Sequence, residues 1–365
     1  MERINKEYAE ALAWLRFVLN PGDTMPSITD WRALYDFCDK HKIGGVCEPT
    51  RFDVHVDEEV LLDWMALKIQ LQRTNTILNQ QVNDYFHVLE SDGLRCCLLK
   101  GQGNTYLYPN SSLRVPGDID VWIDMDKKSI DRYFINKNPE AKQSFKHLKV
   151  FYEGTPVDVH DIPLKLYNPN HQKHLNRWLE DSREEQFAHR VSLMSDGHTV
   201  CVPTAKFNAI YQMGHIMIHL LDEGVGLRHI VDYFYVLNSL GILPEDEKTK
   251  MISVLHKTGM MRVASGLMWI VHEVLGLPKE FLVTVPNQKY GKLMFEDILE
   301  SGNFGRGSKR QKIEKKGFMF KGVVLALHNV LLFPLYPGEI PYKLIAKLKT
   351  FIKHITSKIW SSSIP

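Results

Sequence analysis

The hydrophobic texture of the chain changes at Ser91-Asp92-Gly93, and this change constrains the fold more than any other feature. Before it, apolar residues recur at helical spacing. Leu12, Trp14, Leu15, Val18 and Leu19 share one broad face, and Pro21-Gly22 ends that helix. Asp30 or Ser27 caps a second helix, which runs through Trp31, Leu34 and Phe37 to about Lys42, where Gly44-Gly45 breaks the pattern. A longer helix follows from Asp57 to Glu90. Beyond the turn, Leu94 to Leu99 is an apolar run of strand length, and Ile119 to Ile123, Lys149 to Tyr152 and Pro156 to His160 are further strands. Helices are expected over Gly103 to Tyr108 and Lys127 to Lys137. After Pro203 helical spacing returns, over Ala205 to Leu221, Leu227 to Leu240, Lys248 to Leu275 and Val323 to Leu332. Strands and helices mixed over about 70 residues exclude a plain bundle and point to an α/β (α+β) core with a mixed sheet. The expected organisation is a helical region at 1–90, an α/β core at 91–202 and a helical region at 203–365 with a basic amphipathic tail.

A chain of 365 residues can bury a sizeable core, and 44% hydrophobic with 24% charged residues is the balance of an ordinary globular protein rather than a disordered one. Met1 to Glu10 lacks the apolar stretch of a secretory signal, so a cytoplasmic location is expected. The five cysteines contain no Cys-x-x-Cys pair, which argues against a disulfide framework or a zinc knuckle. The stretch from Gly322 to Leu335 is too short and too interrupted by His328, Asn329 and Pro334 for a transmembrane helix. Net charge is +2, but residues 306–365 hold 12 Lys and Arg against two acids, a local +10 that leaves −8 on the rest.

The chemistry begins in Gly117-Asp118-Ile119-Asp120-Val121. Two aspartates one residue apart on a strand point to the same face and can grip one cation. Such close carboxylates repel, and Mg²⁺, a hard ion that takes oxygen ligands, relieves the repulsion; Mn²⁺ is the alternative. A second ion would complete a two-metal scheme for displacing pyrophosphate. An isolated Asp-x-Asp is common, with one acid in a turn and the other facing solvent, so the surrounding order of parts decides. Upstream, Leu98-Leu99-Lys100-Gly101-Gln102-Gly103 is a strand entering a glycine turn at a helix start, where backbone N–H groups can hold phosphate. Downstream, Val157-Asp158-Val159-His160 is a strand able to set a third acid beside the pair.

This order, Lys-Gly, a short helix, Tyr-Pro, an Arg-containing loop, Asp-Ile-Asp and later Val-Asp-Val-His, resembles the little-characterised bacterial nucleotidyltransferase group of the DNA polymerase β-like superfamily. The resemblance covers Leu98 to His160 and continues into Glu223-Gly224-Val225-Gly226-Leu227-Arg228-His229-Ile230-Val231-Asp232. It implies a polymerase β-like fold and Mg²⁺-dependent transfer of a nucleoside monophosphate from a nucleoside triphosphate to an acceptor. It further implies that Asp118, Asp120 and Asp158 are the catalytic metal ligands and that Gly101 belongs to the phosphate turn. The superfamily's common Gly-Ser is here Gly101-Gln102, preceded by Lys100. Lys100, Gly101, Gln102, Gly103, Arg114 and Arg228 are the expected nucleotide-binding residues. For Lys100 the competing reading is a strand-end lysine reaching solvent, and for Arg114 a pairing with a surface acid. The acceptor is open: a small molecule or protein is favoured, since the α/β core carries no aromatic-and-basic RNA signature, and a toxin-like transferase acting on tRNA or protein is the alternative. A regulatory binding protein that keeps the fold without catalysis is the rival class.

In strand alternation Asp158 and His160 share a face and Asp161 points away. His160 reads first as a hydrogen-bonded structural histidine, with orienting a carboxylate or carrying a proton as the alternatives. His215 and His219 stand at i, i+4, but Ile216 occupies the place of the zinc-protease glutamate, so they are expected to pack or to line the substrate cleft. Arg228 and Asp232 have the spacing of a helix-surface ion pair worth about 0.3 to 0.5 kcal/mol. In the tail, Leu344, Ile345, Leu348, Phe351, Ile352, Ile355 and Ile359 share one helical face flanked by Lys347, Lys349, Lys353 and Lys358. That face either docks on the protein's own core or meets an anionic partner, such as a membrane surface, through residues 341–360.

Overall fold

The computed structural model describes residues 8–144, 146–195, 197–303 and 329–349. Three helices lead: α1 (Ala9–Leu19), α2 (Trp31–His41) and α3 (Glu58–Ser91). Asp30, rather than Ser27, caps α2 by accepting from Ala33 N at 2.8 Å. The α/β part follows as β1 (Cys96–Leu99), a 3-10 turn (Gly101–Leu107), β2 (Ile119–Ile123), α4 (Lys127–Lys137), β3 (Lys142–Gln143), β4 (Leu148–Tyr152) and β5 (Thr155–His160). Next come α5 (Pro169–Gln186), the small hairpin β6 (Arg190–Val191) and β7 (Val200–Cys201), α6 (Ala205–Asp222), α7 (Leu227–Leu240), α8 (Glu245–Lys257), α9 (Met261–Trp269) and α10 (Gln288–Ser301). Residues 340–349 are helical.

The main sheet has the order β1-β2-β5-β4-β3. β2 and β5 are parallel, and every other pair is antiparallel. The expected mixed sheet between helical regions is therefore present. The period of two sorts the strand residues into two faces. Cys96, Leu98, Ile119, Val121, Ile123, Val157 and Val159 pack with Val82, Phe86 and Leu89 of α3 and with Ile130 and Phe134 of α4. The opposite face carries Cys97, Leu99 and Trp122 into a larger core that joins α1 and α2 to α5–α10. The two helical regions expected to flank the sheet as separate modules thus share one apolar core. α3 spans roughly 50 Å at 1.5 Å per residue and serves both cores, with Trp64 in the larger and Val82 to Leu89 in the smaller.

Several boundaries differ from expectation. The single helix expected over Lys248–Leu275 is two, because Gly259 takes φ +71° between α8 and α9. α5 escapes a search for apolar periodicity because it buries only Leu175, Leu179 and Gln186. The helix expected from Gly103 is a 3-10 turn that begins at Gly101. Most of the expected helix Val323–Leu332 and the tail positions Phe351, Ile352, Lys353, Ile355, Lys358 and Ile359 lie outside the described residues.

The described part of the tail docks through polar groups. Glu339, 1% exposed, accepts from Tyr167 N at 2.6 Å and Asn168 N at 3.1 Å and pairs with His171 at 2.6 Å. Lys343, fully buried, donates to Leu221 O and to Asn329 Oδ1 at 3.2 Å. Leu344, Ile345 and Leu348 of the predicted apolar face are exposed. No helix among the described residues is long and apolar enough to cross a membrane.

Candidate active site

The polar face of the sheet gathers the acids. Asp120 lies opposite Leu99 of β1 on one side and Asp158 of β5 on the other. The register of β5 follows from its hairpin with β4. Glu153 and Gly154 take φ +47° and +80°, the double positive φ of a two-residue turn, so Tyr152 faces Thr155 and Lys149 faces Asp158. Lys149 Nζ and His147 Nε2 each lie 3.3 Å from Asp158. Asp120, 2% exposed, meets Lys100 Nζ at 3.0 Å and His160 Nε2 at 3.0 Å. His160 therefore orients a carboxylate, one of the roles weighed for it. Lys100 points inward to Asp120, which removes the solvent-reaching alternative. Asp161 turns away to pair with Lys165 at 2.8 Å.

The turn that follows β1 is held from below. Asn75 of α3 donates to Ser112 O at 2.8 Å and Arg114 O at 2.9 Å, fixing the loop that delivers Asp118. Gln102 donates to Asn79 Oδ1 at 2.8 Å and Asn75 Oδ1 at 3.2 Å. Its side chain is thus buried against α3, away from the cleft, contrary to its expected part in nucleotide binding. Gly103 is there because a Cβ would come within 2.6 Å of Leu98 O, a packing requirement rather than a phosphate contact. Gly101, at φ +45°, stays at the cleft, where a Cβ would meet Asp118 O at 3.3 Å.

From the other side, α7 closes the site with charge. Arg114 Nε and Nη2 donate to the two oxygens of Asp232 at 2.8 and 2.7 Å, and Tyr108 Oη donates to the same carboxylate. The helix-surface pair expected between Arg228 and Asp232 is replaced by this buried fork, because the loop before Asp118 reaches α7. Arg228 instead donates to Pro116 O at 3.2 Å. Lys100, Gly101, Arg114, Gly117, Asp118, Asp120, Arg228 and Asp232 line one open cleft, and α6 contributes Gln212, His215 and Ile216 to its wall. Asp158 sits beside Asp120 but does not line this cleft. Six of the nine expected site residues are therefore brought together in it.

Residues 27–276 match the family described as uncharacterised nucleotidyltransferase. The chain belongs to this nucleotidyltransferase family. A crystal structure of an antigenic nucleotidyltransferase-like protein from Paracoccidioides brasiliensis is similar at 14% identity, over 60% of this chain and 95% of that one, with a TM-score of 0.34. No curated protein matches the chain.

The electrostatics of this nucleotidyltransferase follow from burial opposed by pairing. Burial raises Asp120, but Lys100 and His160 outweigh it and hold the carboxyl at about 2. Burial also raises Asp158; Asp120 and Asp118 add to it, and the Asp158 carboxyl is pushed up to about 7. Burial lowers Lys100, yet Asp120 and Asp118 overcome it and keep the ammonium above the usual lysine value. Arg228 is lowered, first by burial and then by Arg114. Burial lowers His147 to about 4, with His160 adding to the effect.

Oxygen donors on neighbouring strands suit a hard divalent ion. Asp158 Oδ1 is buried and receives no geometrically sound hydrogen bond, although Lys149 Nζ lies 3.3 Å away. As the side chains stand, no group of three or more His, Cys, Asp and Glu among the described residues is arranged around a single ion point. Asp118, Asp120 and Asp158 still offer the kind of oxygen donors such an ion takes, with Asp120 paired to Lys100 as it stands.

Three partners were not read from the sequence. Lys149 was legible in principle, because the two-residue turn dictates that it faces Asp158. The contacts of Asn75 and Asp232 join positions 37 to 118 residues apart, and no local signal marks them.

Proposed function

We propose that the cleft binds a nucleoside triphosphate and transfers its nucleoside monophosphate to an acceptor hydroxyl, with pyrophosphate leaving. The observation that carries this reading is the Asp118–Asp120 strand end lying beside Asp158 of the parallel strand β5 and opening into a cleft with Lys100 and Arg228. Asp118, Asp120 and Asp158 would hold Mg²⁺, or Mn²⁺, which when bound neutralises phosphate charge and favours departure of pyrophosphate.

The residues of the chain do the positioning. Lys100 supplies an ammonium that can meet a phosphate oxygen, and the Gly101 backbone allows close approach. Arg228 holds the Val115–Pro116 backbone just ahead of Asp118 and contributes positive charge to the same wall. Arg114 acts through Asp232 to fix the loop, so its role is positioning rather than a clamp on the triphosphate. A transfer of this kind needs orientation and charge stabilisation more than covalent help. A small molecule or a protein side chain remains the favoured acceptor class.

The test is calorimetric titration of ATP, GTP, CTP and UTP with Mg²⁺ into wild type and into Asp118→Asn/Asp120→Asn. Metal-dependent binding of at least one nucleotide that disappears in the double variant, while its circular dichroism and melting remain native-like, supports the reading. Equal binding by the variant, or no binding by wild type, refutes it.

A further inference from the structure

The helix at residues 340–349 is inverted with respect to an ordinary amphipathic helix. It turns Ile340 and Lys343 inward, at 3% and 0% exposed, and leaves Leu344, Ile345 and Leu348 in solvent at 40%, 50% and 58%. Leu344 and Ile345 each lie within one turn of Leu348, so the three form a single apolar stripe. The polar residues that would ordinarily face water do the anchoring. Glu339 accepts from Tyr167 N and Asn168 N at the start of α5, and Lys343 lies 3.3 Å from Asp222 at the end of α6 and donates to Leu221 O. A polar clasp on two helices therefore holds the stripe outward.

Charge narrows what can cover it. Lys347 and Lys349 flank the stripe and are exposed, while Glu339, one of the two acids in residues 306–365, is buried against His171. Beyond Lys349 the sequence adds Phe351, Ile352, Ile355, Lys353 and Lys358, and no acid. Residues 306–328 carry seven Lys and Arg against Glu314 alone, so that stretch repels the surroundings of the stripe. A second copy would bring the same positive charge face to face. A nucleic acid would take the lysines but leave Leu344, Ile345 and Leu348 in water. An anionic lipid surface satisfies both sets, receiving the apolar side chains at the acyl boundary and the lysines at its headgroups.

We infer that the helix at 340–349 is a peripheral docking surface for anionic lipid, with Leu344, Ile345 and Leu348 entering the interface and Lys347 and Lys349 meeting the headgroups. A helix with one apolar face and a polar back lies in the plane of the interface rather than across it. The clasp ties this helix to α6, and α6 also supplies Gln212, His215 and Ile216 to the cleft. Docking therefore holds the cleft at a fixed orientation to the membrane surface. The inference stands apart from the nucleotidyl-transfer reading and can fail or hold without it.

The test uses the full chain and vesicles of phosphatidylcholine, alone or with about one-third phosphatidylglycerol. Flotation should carry the protein with the anionic vesicles and not with the zwitterionic ones, and about 1 M salt, where the Debye length is about 3 Å, should weaken the binding. Lys347→Gln/Lys349→Gln should bind on the order of tenfold more weakly, and Leu344→Ser/Ile345→Ser/Leu348→Ser on the order of 10²-fold. Both variants change only exposed side chains, so their melting should match wild type. The five native cysteines are buried, so Leu348→Cys can be labelled selectively with an environment-sensitive fluorophore, whose emission should shift to the blue on adding anionic vesicles. No flotation, equal flotation with both vesicle types or by the serine variant, or an unshifted fluorophore on vesicle-bound protein overturns the inference. So does a concentration-dependent oligomer that the serine variant abolishes, which would make a second copy the occupant. A fluorophore already blue and shielded from quencher without vesicles would assign the stripe to the chain's own residues and overturn it too.

Discussion

Removing Asp232 isolates what anchors the catalytic loop. Arg114 and Asp232 are 3% and 4% exposed, and their fork of two bonds at 2.8 and 2.7 Å leaves the guanidinium no solvent to fall back on. Burial alone would lower Arg114, and it is Asp232 that raises it above even the ordinary arginine value; an arginine side chain nevertheless keeps its charge in proteins when its partner is lost. Asp232→Ala therefore strands a buried charge, beside a second guanidinium at Arg228 that already feels Arg114. Breaking one side of a buried pair costs about 3 to 5 kcal/mol, a large part of the roughly 5 to 15 kcal/mol that holds a typical fold. Replacing both partners with apolar residues, Arg114→Met with Asp232→Leu, removes the charge with the partner and should cost about 2 kcal/mol or less. The double variant is thus expected to be more stable than the single one. Urea unfolding of wild type, Asp232→Ala, Arg114→Met and Arg114→Met/Asp232→Leu measures this. A loss below about 1 kcal/mol in Asp232→Ala, or single losses that simply add in the double, would refute the argument. The same double variant should still lose nucleotide turnover, because Arg114 no longer fixes the loop that carries Asp118.

Other expectations follow from single contacts. His41 is fully buried with neither ring nitrogen hydrogen-bonded, and burial with Lys40 lowers it to about 3. The folded state resists its protonation while the unfolded state accepts a proton near pH 6.5. Stability is therefore complete above pH 6.5 and falls as pH drops from 6.5 towards 3, by about 1.4 kcal/mol per unit and about 5 kcal/mol in all. Melting temperature against pH should fall steeply in wild type and more gently in His41→Leu; parallel curves would contradict this. Gly45→Ala would set a Cβ 1.9 Å from Leu113 O, so a loss of about 1 to 3 kcal/mol is expected by chemical denaturation, and a neutral variant would show that the loop yields freely. Glu339→Gln weakens the acceptor shared by Tyr167 N, Asn168 N and His171 and should cost about 1.5 to 3 kcal/mol, accompanied by faster proteolysis of the segment at 329–349; unchanged protease resistance would argue that the polar clasp is dispensable.

Local chemistry made much of this molecule legible. Ile119–Ile123 and Lys127–Lys137 form where their residues predict, because a period-two apolar run and an Asp126-capped amphipathic stretch are decided by neighbours in sequence. Asp120 and Asp158 were likewise readable as acids on the polar faces of their strands. α5 was not readable, because its exposed flank dilutes the apolar stripe, and neither was α10, where Gly291 appears for packing: a Cβ there would strike the Trp269 ring at 2.4 Å.

Sequence alone determined strands β1, β2, β4 and β5, though not β3 or the β6–β7 hairpin, together with the placing of Asp118 and Asp120 and of the glycine at the end of β1, since each depends on alternation or on φ at a single position. Tertiary structure alone decided who meets whom. It turned Gln102 down onto α3, gave Asp232 to Arg114 instead of Arg228, docked the described part of the tail through Glu339 and Lys343 while leaving Leu344, Ile345 and Leu348 exposed, and brought His215 and His229 into the same cleft as Asp118 and Asp120. The physical reason is that a buried charge or amide must find a partner wherever the packed elements place one, and that partner is set by the approach of distant backbones, which residue spacing does not encode.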